Sequence, residues 1–127
     1  MVEKRSLTFL VFIFLFLSCT SAFATDFSKM FSERCAVCHS LNPPPKLAPP
    51  FRGIIMHYSQ EYRSREDFAR AVATFVRKEE GRKVLLPDAQ EYFGPMPVFP
   101  YDEQELIELA SWIWDELSTS PMNMKKS

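Results

Sequence analysis

The chain has 127 residues, room for one domain, and its 46% hydrophobic and 14% aromatic residues with only three glycines exclude a disordered or low-complexity protein. Its 15 basic and 16 acidic residues nearly balance, so there is no basic excess of the kind that draws a protein onto nucleic acid.

At the N-terminus, Lys4 and Arg5 precede eleven residues, 7–17, that are all apolar except Thr8, and Ser18-Cys19-Thr20-Ser21-Ala22-Phe23-Ala24 follows. These are the three parts of a secretory signal peptide. The apolar run is shorter than the roughly 20 residues of a membrane span, and Ala22 and Ala24 supply the small side chains a signal peptidase needs. Residues 1–24 are therefore expected to be removed, which places the mature chain in the periplasm or another extracytoplasmic compartment. Two alternatives are an uncleaved anchor and a lipid on Cys19, where Leu17-Ser18-Cys19 loosely resembles a lipoprotein box but Phe16 replaces the usual leucine. Cleavage leaves 13 basic against 15 acidic residues, a net charge near −2, and leaves Cys35 and Cys38 as the only cysteines. No disulfide framework can then exist beyond a bond between those two.

Asp26 is a good N-cap, and Phe27, Phe31 and Cys35 follow at intervals of four, so a first helix is predicted to run into the cysteine pair. Residues 41–50 hold five prolines, which excludes a helix and demands a stiff, extended loop; Gly53 then allows a tight turn, and residues 54–57 have no predicted conformation. Ser64 caps a middle helix in which Phe68, Ala71, Val72, Phe75 and Val76 recur at helical spacing until Gly81. Residues 86–100 carry four prolines and read as a second rigid loop. Asp102 and Glu105 form a capping box for a last helix with the apolar stripe Leu106, Leu109, Ala110, Ile113, Trp114 and Leu117, and residues 121–127 are a polar tail. With no strand-like alternation, the fold reads as all-α, with three main helices and long proline-rich loops.

Cys35-Ala36-Val37-Cys38-His39 is the attachment signature of c-type haem. Two thiols three residues apart on a helical turn can each add to one porphyrin vinyl group, and His39, four residues after Cys35, lies on the same side with an imidazole nitrogen for the iron. A thioredoxin-like dithiol would follow a strand in an α/β unit, whereas this pair follows a short helix. A zinc site from Cys35, Cys38, His39 and His57 is arithmetically available, but the adjacent Cys38 and His39 rarely both reach one tetrahedral metal.

An electron-transfer haem needs a second axial ligand, because an open position would bind small molecules. Met96 is the leading candidate. Pro95 and Pro97 stiffen its backbone, no helical stripe accounts for it as core, and its separation of 57 residues from His39 leaves room for a whole helix between them. His57 and Met56 are the other candidates.

This order of parts resembles the class I monohaem cytochromes c over roughly residues 26–118. The resemblance implies a cytochrome c fold over residues 25–120 wrapped around one covalent haem c per chain, His/Met axial ligation by His39 and Met96, and thioethers at Cys35 and Cys38. It further implies that Phe31 and Trp112 pack where the first and last helices cross, and that the carbonyl of Pro49 accepts the outer ring proton of His39. Ala48 stands where the family usually has glycine, and the cluster at residues 43–45 is unusual for it.

The implied function is electron transfer without enzymatic activity, at a relatively high potential, between redox proteins such as a dehydrogenase, a reductase or an oxidase. Contact with a membrane would come only through a docked partner or a lipid on Cys19. A diffusing shuttle should present like charges at the haem edge, with Lys29, Arg34, Lys46 and Arg52 as candidates, and a haem-bearing subunit of an oxidoreductase complex should present an apolar patch. A haem sensor would need an open sixth position, against which Met96 argues.

Overall fold

The computed structural model describes residues 24–119; the predicted export segment up to residue 23, with Cys19, and the predicted tail from residue 120 lie outside the described residues. Within them the protein is all-helical: α1 (Phe27–Arg34), α2 (Phe51–Glu61), α3 (Arg65–Arg77), α4 (Pro87–Phe93) and α5 (Glu103–Thr119). None of these helices is long and apolar enough to cross a membrane.

Three caps are formed as the sequence predicts. Asp26 Oδ1 accepts from the Lys29 amide at 3.0 Å, Ser64 Oγ from the Asp67 amide at 3.1 Å, and Asp102 Oδ1 from the Glu105 amide at 3.0 Å. Each satisfies an amide that the first helical turn leaves without a partner.

The helix inventory differs from the expected three. Gly53 sits inside α2 with no positive φ, so the tight turn expected there is absent. Pro50, with φ −66° and ψ 144°, launches this helix, and Phe51, Ile54, Ile55 and Tyr58 then turn toward the core at helical spacing. That burial outweighs the cost of about 1 kcal/mol for glycine in a helix. Residues 86–100 are not one loop: Pro87 occupies the first turn of α4, where a missing amide proton costs nothing, and Gly94 at φ 82° ends it. α1 stops at Arg34, so the cysteine pair lies in a turn just beyond it, and α3 stops at Arg77, four residues short of Gly81.

α5 is the spine of the molecule, packing against α3 most extensively and also against α1 and α2. Its stripe is buried at Leu106, Leu109, Ala110, Ile113 and Leu117, with Trp114 partly buried. On one side Phe31 and Phe51 join Leu109, Ile113 and Leu117; on the other Phe68, Ala69 and Tyr58 meet Ala110. Phe31 lies 5.9 Å from the Trp112 ring and 5.5 Å, edge on, from Phe51, so the aromatic contact between the first and last helices is present. Arg34 to Glu105 at 2.9 Å ties α1 to α5, and Arg65 makes a two-pronged pair with Asp115, its shortest contact 2.7 Å.

The face of α3 divides in two. Phe68, Ala69 and Ala73 are buried, whereas Phe75 and Val76, which continue the predicted stripe, line a cavity instead of completing the core, and Val72 touches both.

Candidate functional site

After α1, the chain turns tightly: the Ala36 amide bonds the Phe31 carbonyl at 2.9 Å, and the His39 amide bonds the Cys35 carbonyl at 2.8 Å. The proline-rich stretch folds back over this turn. The Leu47 and Ala48 amides both donate to the Cys38 carbonyl at 3.1 Å, the Phe51 amide donates to Ser40 at 2.8 Å, and Lys46 Nζ donates to the Ala36 carbonyl at 2.7 Å. Residues 41–50 are thus non-helical as expected, and their stiffness holds Pro49 against His39.

His39 is buried, 8% exposed, and its Nδ1 lies 2.8 Å from the Pro49 carbonyl oxygen. A carbonyl only accepts, so Nδ1 carries the proton and Nε2 keeps a bare lone pair. Burial lowers the pKa of His39 below its usual value, partly opposed by the bond to Pro49, so the ring is neutral near pH 7. The Phe51 ring, 4.9 Å away, packs against the imidazole and fixes its plane.

Cys35 and Cys38 are half-buried free thiols. Burial pushes the Cys35 thiol up to about 11, with Arg34 pulling the other way. A thiol held protonated is unlike the acidic nucleophile of a disulfide oxidoreductase.

Both cysteines and His39 line a cavity of about 220 Å³, and Met96 lines the same cavity. The walls are chiefly apolar: Leu47 and Pro49 from the proline stretch, Ile54 and Tyr58 from α2, Val72, Phe75 and Val76 from α3, and Leu106, Leu109 and Ile113 from α5. Residues 84–97 supply a further wall that includes Leu85, Leu86 and Phe93. Met96 is half-buried in the extended stretch after Gly94.

The other axial candidates are elsewhere. Met56 is 56% exposed on α2, His57 beside it is exposed, and neither lines the cavity. Since His57 is away from the cysteine turn, the four-ligand zinc set is not assembled, and among the described residues no group of three or more His, Cys, Asp or Glu side chains is gathered for a metal.

Sequence reasoning overlooked Tyr58, Phe93 and Arg82. Tyr58 falls seven residues after Phe51, a helical spacing hidden by the intervening Gly53, Met56 and His57. Arg82 carried no local signal; its Nη1 donates to the Met96 carbonyl at 2.5 Å and its Nη2 to the Pro97 carbonyl at 3.4 Å. The Phe99 amide bonds the Val76 carbonyl at 3.0 Å and pins the same stretch to the end of α3.

No protein-family model, curated protein or solved structure matches this chain.

Proposed function

We propose that this chain carries one covalently attached haem c and passes single electrons between redox proteins outside the cytoplasm, on the fold of a class I cytochrome c. The observation that supports this reading best is the shared cavity: two free thiols and a neutral imidazole with a bare Nε2 face the same apolar space as Met96. That donor set suits a porphyrin. Thiols at Cys35 and Cys38 would become thioethers, and His39 Nε2 and the Met96 sulfur would serve as neutral ligands to an electron-transfer iron. A haem held in this way supplies a one-electron ferric and ferrous couple.

The protein's own residues set the conditions. Pro49 holds the His39 tautomer and strengthens it as a donor. Val72, Phe75, Leu109 and Ile113 exclude water from the cavity, which disfavours the more highly charged ferric state and raises the potential. Met96 fills the position that a sensor would leave open.

A specific observation favours the complex-subunit version over the free shuttle. Of the four cations proposed for a charged ring, Lys29 pairs with Glu33 at 3.8 Å and Arg34 with Glu105 at 2.9 Å, while Lys46 and Arg52 bond the Ala36 carbonyl and Asn42. Beside the cysteine turn, Val37 and Leu47 are 65% and 69% exposed. Two of the four charges are thus neutralised by carboxylates, and the exposed apolar pair at that edge is what favours the subunit version.

The test is haem staining after denaturing electrophoresis of protein made with a haem maturation system, with the intact mass of the exported product. A stained band starting at Thr25 with one covalent haem is the expected result. An unstained band would end the reading, and a product starting at Cys19 with lipid would move it to a membrane surface.

A further inference from the structure

We infer that Arg82 is a positioning residue that clamps the Met96 stretch against α3 and thereby sets how readily another ligand displaces the methionine sulfur; this rests on the haem reading above. Its side chain is held on three sides. Nε donates to the Lys78 carbonyl at the end of α3 at 2.7 Å, and the guanidinium lies 4.7 Å over the Phe75 ring. From that fixed base Nη1 reaches the Met96 carbonyl and Nη2 the Pro97 carbonyl, at 2.5 and 3.4 Å. A planar fork with five donors in fixed directions bridges a helix end and an opposed loop with less ordering than the three rotatable donors of an ammonium.

The need for such a clamp follows from the backbone. Gly94 ends α4, and between it and the Phe99 amide bond to Val76 the stretch lies outside any helix. Pro95 and Pro97 fix local dihedrals but bring no amide protons, and residues 95–97 make no main-chain hydrogen bond to the rest of the described residues. The carbonyls of Met96 and Pro97 remain as the handles, and Arg82 takes both.

Displacement of the sulfur requires the stretch to swing away from the cavity, and an external ligand binds in proportion to the fraction of molecules in that open form. Two charge-assisted bonds to backbone carbonyls hold the closed form, so their loss should raise the open population roughly tenfold or more, each tenfold being about 1.4 kcal/mol.

The experiment titrates ferric holoprotein with imidazole while following the weak long-wavelength band of sulfur on haem iron. In Arg82→Ala the apparent Kd for imidazole should fall about tenfold, and on heating the band should vanish at a lower temperature than the helical circular dichroism. Arg82→Lys, which keeps a charge but loses the fork, should lie between the two, and it serves alone if the alanine variant does not fold. Lys83→Ala, which removes the partner of Glu61 and leaves the clamp intact, should match wild type. The inference is overturned if imidazole affinity in the Arg82 variants stays within twofold of wild type. It is equally overturned if band and helices melt together at a lowered temperature, or if Lys83→Ala changes the affinity as much. Absence of the band from wild-type holoprotein would instead fail the assignment of Met96 on which the inference rests.

Discussion

The two proline-rich stretches face the same cavity and are held there by different means. Residues 41–50 are stitched to the cysteine turn by main-chain bonds from Leu47 and Ala48 to Cys38, and two side-chain bonds add to these, Lys46 to the Ala36 carbonyl and His39 to the Pro49 carbonyl. Gly94 is bonded to Gln90 at the end of α4, and beyond it residues 95–100 have one main-chain bond, from Phe99 to Val76, and otherwise depend on Arg82. Backbone bonds survive nearly any substitution, whereas a side-chain clamp is lost with one residue. The His39 side of the cavity is the more firmly held and the Met96 side the more adjustable, which would suit the proposed haem, covalent at one end and bound by an exchangeable thioether ligand at the other.

The largest effect that would break this comparison is at the more firmly held end. Cys35→Ala removes one proposed thioether, and haem staining should be abolished or nearly so; full staining of both single cysteine variants would contradict two-point attachment. Next in size is Phe68→Ala, which removes a fully buried ring packed against Tyr58 and Trp114. Truncating such a phenylalanine costs about 3–5 kcal/mol, so chemical denaturation should show that loss while the ligand band of the folded protein persists. A band lost in parallel with no change in stability would mean that this core supports the Met96 side specifically.

Met96→Ala sharpens the contrast. It should leave staining intact, remove the long-wavelength sulfur band, open the iron to cyanide or carbon monoxide, and lower the reduction potential, because a ligand favouring ferrous iron is gone. Met56→Ala should change none of these, since Met56 is exposed on α2 away from the cavity. A band retained in the Met96 variant and lost in the Met56 or His57 variant would reverse the assignment.

The same two regions show where sequence reasoning reaches. Caps at Asp26, Ser64 and Asp102 are local patterns, and so is the α5 stripe, whose period survives because the whole helix packs on neighbours. His39 and Pro49 were legible because the motif fixes one and a resemblance supplied the other. α2 was not, since Gly53 interrupts its apolar period and the burial that compensates comes from Phe31 and Phe68, distant in sequence. α4 was hidden because proline ends helices more visibly than it starts them. Arg82 is the sharpest case: its contacts span 14 and 15 residues and depend on where α3 stops, which the sequence marks only at Gly81, four residues beyond the actual end at Arg77.

The smallest expected effect concerns Tyr58, which lies on a cavity wall and is only 6% exposed. Burial, aided by the nearby Tyr62, pushes its hydroxyl up to about 12 from 10.0, with Arg82 opposing. An acid whose pKa is raised by folding keeps its proton in the native state after the unfolded chain has released it. Its contribution is thus fully present below pH 10, declines as pH rises, and is exhausted above pH 12. A shift of two units corresponds to at most about 2.7 kcal/mol. Denaturation curves taken from pH 9 to 12 should show wild type losing up to that much more stability than Tyr58→Phe, which has no proton to release. Because other groups also titrate in this range, the difference between the two proteins is the quantity to read. If the two curves stay parallel, the Tyr58 hydroxyl is solvated in the folded protein, and this wall of the cavity is wetter than its apolar lining implies.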